Sequence, residues 1–223
     1  MKPNLKPSGF EVEEFQKALL GWYDRHGREI PWRYKNGAKA DPYRVWLSEI
    51  MCQQTTVPAV IPYFLKFTAL WPTVQALAKA PVEDVMREWA GLGYYARARN
   101  LHKCAGIVAN DYGGIFPQTP EELKKLPGIG DYTAAAIAAI AFNISSPVVD
   151  GNVERVLARI FALDEPLPGA KTALKKLAIP FFETGFQRPG DLAQAFMDLG
   201  SGPCIPSSPR CGLCPVTSLC KGH

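Results

Sequence analysis

The stretch Leu126-Pro127-Gly128-Ile129-Gly130-Asp131-Tyr132-Thr133 sits between two helical patterns, and its reading decides the fold. Upstream, Thr119-Pro120-Glu121-Glu122 reads as an N-cap, a proline at the first helical position and an acidic first turn. Downstream, an alanine-rich helix begins at Asp131. The whole is a helix–hairpin–helix element. Gly128 and Gly130 let the backbone turn tightly and expose N–H groups where the next helix starts. Such donors, with the helix dipole, suit a DNA phosphate, and the loop carbonyls suit a monovalent cation. A plain glycine turn between packed helices explains the same residues, so both readings stand on this stretch alone.

Outward from the hairpin the pattern stays helical. Phe10, Phe15, Leu19 and Tyr23 mark a first helix that ends at Gly27 and Pro31. Asp41 caps, and Pro42 opens, a helix predicted to run to about Thr56. Tyr43, Trp46, Leu47, Ile50 and Met51 form its apolar stripe, and Glu49 falls off it. Further helices are predicted at 58–70, 74–79, 82–90 and 95–112, divided by Pro72, Pro81, Gly91-Leu92-Gly93 and Gly113-Gly114. Asp150-Gly151-Asn152 opens a helix with Val153, Val156, Leu157 and Ile160 at 3–4 spacing, and two more follow at about 170–183 and 190–199. Period-2 alternation and internal repeats are absent, so the expected class is all-α.

At 223 residues, 47% apolar and 21% charged, the chain has enough material for a sizeable core, which excludes whole-chain disorder. The net charge of +4 and pI near 8.7 are compatible with nucleic acid but too mild to argue for it alone. Met1–Glu11 carries Lys2, Lys6 and Glu11 without an apolar core, so no targeting signal is read there and a soluble, cytoplasmic protein is expected. The uncharged stretch Tyr132–Val149 contains Asn143, Ser145, Ser146 and Pro147 and reads as a buried helix with a turn, not a membrane span.

Of six cysteines, Cys52 and Cys104 stand alone, while Cys204, Cys211, Cys214 and Cys220 follow a C-x6-C-x2-C-x5-C spacing. Four thiols on so short a segment ask for a metal. Zinc modules usually join two close pairs, and only Cys211 and Cys214 form one. A four-iron four-sulfur cube accepts unequal spacing better, because each thiolate reaches a different iron. On spacing alone iron–sulfur leads and zinc stays open.

Read together, several blocks carry a resemblance. They are Pro31-Trp32-Arg33, the run Trp46–Thr55, Gly91-Leu92-Gly93-Tyr94-Tyr95-Ala96-Arg97-Ala98-Arg99-Asn100, the hairpin, Asp150–Arg159, Gln194–Gly200 and the four cysteines. With them the sequence resembles the endonuclease III superfamily of DNA glycosylases, and within it the MutY family of adenine DNA glycosylases. The resemblance implies a helix–hairpin–helix glycosylase fold. Residues 36–147 would form a six-helix barrel domain, and 1–35 with 148–223 a domain holding a 4Fe-4S cluster on Cys204, Cys211, Cys214 and Cys220. It implies a monomeric base excision repair enzyme that flips adenine, mispaired with 8-oxoguanine or guanine, out of double-stranded DNA and hydrolyses its N-glycosidic bond.

Glu49 stands at the family's acid position and would protonate adenine N7, a role that needs burial to hold the proton. Asp150, at the second carboxylate, would stabilise the oxocarbenium-like sugar, by charge or through a covalent intermediate. Tyr132 lies where bifunctional relatives carry a Schiff-base lysine, so strand cleavage by imine chemistry is not expected. Asn152 would orient the site. Trp32, Arg33, Cys52 and Gln194 match the base pocket, with Cys52 and Ile30 replacing usual leucines. Gln53, Gln54, Thr55, Tyr94, Gly128 and Gly130 are the expected DNA contacts, Gln54 and Tyr94 filling space beside the flipped base. Family members usually continue into a Nudix-like domain that recognises 8-oxoguanine. This sequence ends three residues after Cys220, so a catalytic region without that reader is expected. A mismatch thymine glycosylase and a non-catalytic DNA-binding module are the competing expectations.

Overall fold

The computed structural model describes residues 10–34, 38–166, 168–183 and 187–223. The targeting reading of Met1–Glu11 rests almost wholly on residues outside that set, as does the expected boundary at 35/36. Among the described residues the regular structure is helical throughout. The helices are α1 (Val12–His26), α2 (Pro42–Cys52), α3 (Val57–Leu70), α4 (Val74–Lys79), α5 (Val82–Glu88), α6 (Ala96–Asp111), α7 (Pro120–Leu123), α8 (Asp131–Phe142), α9 (Gly151–Ile160), α10 (Lys171–Glu183) and α11 (Pro189–Ser201). Two 3-10 turns, Cys211–Leu213 and Thr217–Leu219, follow. None of these helices is long and apolar enough to cross a membrane. The uncharged run from Tyr132 is α8 followed by irregular chain.

The described residues divide into two compact units: a cysteine unit of 10–28 and 143–223, and a hairpin unit of 29–34 and 38–142. In the hairpin unit, Asp41 Oδ1 accepts the Tyr43 N–H at 2.9 Å and Pro42 occupies the first turn, so α2 starts where its sequence says. The stripe of Tyr43, Trp46, Leu47, Ile50 and Met51 is buried. Helix α8 is buried from Thr133 through Ala139, and its alanines let α2 pack closely against it. Helices α3 and α6 pack on α2, α4 and α5 on α6, and α7 on α8.

Helix α2 ends at Cys52, short of the predicted Thr56, because Gln54 adopts a left-handed backbone with φ 55°. Helix α7 is a single turn.

In the cysteine unit α1 packs on α10 and α11, and α9 packs on the same two helices. Their core is aromatic: Phe15 stacks on Phe196 at 5.3 Å, and Phe181 meets both edge-on at 5.0 and 5.5 Å. The buried Asp198 carboxylate is paired, accepting from Arg28 N at 2.9 Å and Nε at 2.6 Å.

Candidate active site

In the hairpin unit the candidate residues cluster around the end of α2. Glu49 lies one turn before that end and is half-buried rather than solvated. Cys52 and Gln53 are half-buried, Gln54 is exposed and Thr55 half-buried. Gln53 turns inward: its Nε2 donates to Gly128 O and to Thr133 Oγ1, each at 3.2 Å, tying α2 to the hairpin. Gly128 needs to be glycine, since its φ is 80° and a Cβ there would stand 3.1 Å from that of Asn100. Gly130, expected to be glycine for the same reason, is not held to it: it has no left-handed φ, and a Cβ there would meet open space. Both glycines are exposed, between the buried Leu126 and Ile129 and the start of α8. The Leu126 carbonyl accepts the Ile129 N–H at 3.3 Å, so that oxygen and the one of Gly128 each carry a hydrogen bond within the unit.

Tyr132 is half-buried in the first turn of α8. Tyr94 is 65% exposed, an unusual setting for a tyrosine, on a left-handed backbone with φ 46°. Trp32 is buried with its ring 4.9 Å from that of Phe64, and Arg44 Nη2 donates to Pro31 O at 3.2 Å, fixing the segment that also carries the half-buried Arg33.

In the cysteine unit Asp150 caps α9, as its position predicts. Oδ1 accepts the Val153 N–H at 2.8 Å and Oδ2 accepts Asn152 Nδ2 at 3.2 Å. Asn152 in turn accepts from Arg155 Nη2 at 2.8 Å. Arg155 then donates through Nη2 to Gly200 O at 2.7 Å and through Nε to Cys204 O at 3.0 Å. One polar chain therefore runs from the Asp150 carboxylate to the first cysteine. A side chain at Gly200 would close it off, because its Cβ would stand 2.6 Å from the Asn152 Cβ. Gln194 is buried on α11 and donates to Gly190 O at 3.2 Å.

The cysteine loop hangs on the next turn of α9. Arg159 Nη1 donates to Cys204 Sγ at 3.3 Å and Ile205 O at 2.7 Å, and Nη2 to Pro206 O at 2.8 Å. Cys220 Sγ lies 3.6 Å from Arg159 O, to which it donates. Burial pushes the Cys214 and Cys220 thiols above their ordinary range, and the neighbouring cysteines push the same way. The four thiols thus share one electrostatic neighbourhood. Yet among the described residues no three His, Cys, Asp or Glu side chains converge as a single ion requires. Four thiols on one short loop are soft donors that can each reach a separate iron, and they fit a 4Fe-4S cube.

Three arginines have no role in the sequence reading. Arg155 and Arg159 follow Asn152 by three and seven positions, which puts them on one face of α9, and that spacing was the available signal. Arg97 precedes the buried Ala98 and Leu101 and is itself buried, whereas Arg99 is exposed.

Residues 47–180 match the HhH-GPD superfamily of base excision DNA repair proteins, and residues 204–220 match the iron–sulfur binding domain of endonuclease III. Human adenine DNA glycosylase is 44% identical over 218 residues, covering 96% of this chain and 40% of the human protein. The adenine DNA glycosylase of Buchnera aphidicola subsp. Baizongia pistaciae is 40% identical over 213 residues, covering 94% of this chain and 58% of its own length. A solved structure of a thermostable thymine-DNA glycosylase is 30% identical with a TM-score of 0.81, and 95% of each chain is covered. The chain thus spans about half the length of the adenine glycosylases it matches, and nearly all of the thymine enzyme.

Proposed function

The chain belongs to the HhH-GPD superfamily of base excision DNA repair proteins, and we propose that it is a monofunctional adenine DNA glycosylase acting on adenine mispaired with 8-oxoguanine or guanine. The likeness to adenine DNA glycosylases along almost the whole chain carries this reading. In it, double-stranded DNA is engaged by the hairpin at Gly128 and Gly130, by Thr55, and by Gln54 and Tyr94, which enter the duplex as adenine leaves it. The unstacking costs a few kcal/mol, offset in part by the tyrosine ring. Trp32, Arg33, Cys52 and Gln194 are assigned to contacts with the flipped base.

Glu49 gives its proton to adenine N7, the bond between N9 and the sugar breaks, and the electron pair leaves with the base. Asp150, held in place at the α9 N-terminus by its two donors, faces the positive charge on the sugar. Glu49, now a carboxylate, takes a proton from the water that attacks the sugar carbon. Tyr132 offers no amine for an imine, so excision ends at the abasic site. Cys204, Cys211, Cys214 and Cys220 hold the 4Fe-4S cluster, which when bound cross-links the terminal loop and, through Arg155, supports the setting of Asn152 and Asp150.

A single-turnover assay on A·8-oxoguanine, A·G and G·T duplexes tests the reading. The adenine strands should be converted to abasic sites. Glu49→Gln should lower that rate by about 10²–10⁴-fold while duplex binding persists. Near wild-type excision by Glu49→Gln sinks the assignment. The full-length likeness to a thymine-DNA glycosylase favours a second reading, thymine removal from G·T, and cleavage of that duplex alone would establish it.

A further inference from the structure

Both terminal nitrogens of the buried Arg97 guanidinium donate to main chain and one hydroxyl, while its buried Nε has no partner among the described residues. Arg97 stands in the first turn of α6, where the helix dipole disfavours a cation, so its own helix does not explain it. Nη1 donates to Ile50 O, Met51 O and Gln53 O at 3.2, 2.8 and 2.6 Å, gathering carbonyls at and just beyond the C-terminus of α2. Nη2 donates to Thr55 Oγ1 at 3.0 Å, Leu92 O at 2.8 Å and Gly93 O at 3.3 Å. Its carbon lies 5.2 Å from the ring centre of Trp89 and 5.7 Å from that of Tyr94.

The two carbonyls at 53 and 93 belong to the peptides immediately before Gln54 and Tyr94. Those two residues are non-glycine positions with left-handed φ, at 55° and 46°. Each such conformation needs surroundings that over-determine it. One rigid fork thus grips both strained turns at their entry peptides, and a planar guanidinium fixes the distance between the two peptides as a point charge does not.

We infer that Arg97 is a positioning residue that holds Gln54 and Tyr94 at a fixed mutual spacing for entry into the duplex. The inference rests on the reading that these two residues contact DNA. It predicts that Arg97→Lys, which keeps the charge and loses the fork, uncouples the two turns.

The experiment uses the iron-loaded chain. Amide hydrogen exchange in free protein should quicken by about tenfold at both 53–56 and 92–95 in Arg97→Lys. The preference for A·G over matched duplex should fall by about ten- to a hundredfold. In a Tyr94→Ala background the same substitution should cost almost nothing further. Unchanged exchange at both segments overturns the inference, as do losses for Arg97→Lys and Tyr94→Ala that simply multiply. Should Arg97→Lys not fold, Thr55→Val removes one partner and leaves the charge satisfied. It should speed exchange at 53–56, and no change there is equally fatal. If exchange quickens as expected but wild type and Tyr94→Ala bind mispaired and matched duplexes alike, the DNA role of Tyr94 is what fails, and the positioning role falls with it.

Discussion

The hairpin turn at 124–130 and the cysteine loop at 203–220 are both irregular segments carrying candidate functional residues, and they are held by opposite means. Leu123, Leu126 and Ile129 bury the turn, and short backbone bonds such as Leu126 N to Leu123 O at 3.0 Å close it. In the loop only Pro203 and Val216 are buried among the described residues. Its carbonyls are held by Arg155 and Arg159, reaching from α9. A turn with three apolar anchors stands on its own. A loop with two needs a cross-link, and the thiols supply the place for one.

Removing the iron therefore breaks the comparison most widely. Chelated protein should lose exchange protection and resistance to proteolysis across 203–223 while 124–130 stays protected. Metal analysis before chelation should approach about four irons per chain. Finding one zinc and no iron, or equal loosening of both segments, removes the distinction. Next in size, Leu126→Ala should cost the folded protein about 2–5 kcal/mol, read by denaturant unfolding. Val216→Ala in the iron-loaded protein should cost about 1–2 kcal/mol, because the cluster already restrains its loop. Equal losses would mean that the loop leans on its apolar anchor as heavily as the turn does. The smallest effect tests the link out of the loop. Arg155→Lys should retain iron and stability but slow single-turnover excision by about tenfold, since an ammonium cannot serve Asn152, Gly200 and Cys204 together. An unchanged rate would leave Asp150 independent of the cysteines.

How much of this is legible in sequence depends on the range of the forces involved. The cap at Asp41, the stripe on α2 and the cap at Asp150 are local, and each is found where its residues predict it. The end of α2 is not local. Gln53-Gln54-Thr55-Thr56 contains no breaker, and the helix stops where Arg97, more than forty residues on, takes its carbonyls. Gly130 shows the converse error, in which a residue type suggests a conformation that the chain does not adopt. Glu49 falls off the apolar stripe in sequence yet is half-buried, because burial depends on what other elements bring, and periodicity does not report it. The four cysteines are legible because a metal centre is written in residue type as well as spacing. The arginines that serve them are ordinary surface residues until the fold supplies carbonyls.

The division of the chain carries a consequence for the order of events at the ribosome. The hairpin unit is drawn from one nearly continuous stretch, 29–142, whereas the cysteine unit joins 10–28 to 143–223. Helix α1 is synthesised before the hairpin unit, but the surfaces that cover Phe15 and Leu19, on α10 and α11, are synthesised after it. At roughly 5–20 residues per second, α1 waits several seconds or more with its apolar face uncovered while the whole hairpin unit emerges and closes. A nascent chain whose first roughly 150 residues have emerged from the ribosome would hold a finished hairpin unit and an orphan helix, the kind of exposed amphipathic segment that chaperones bind.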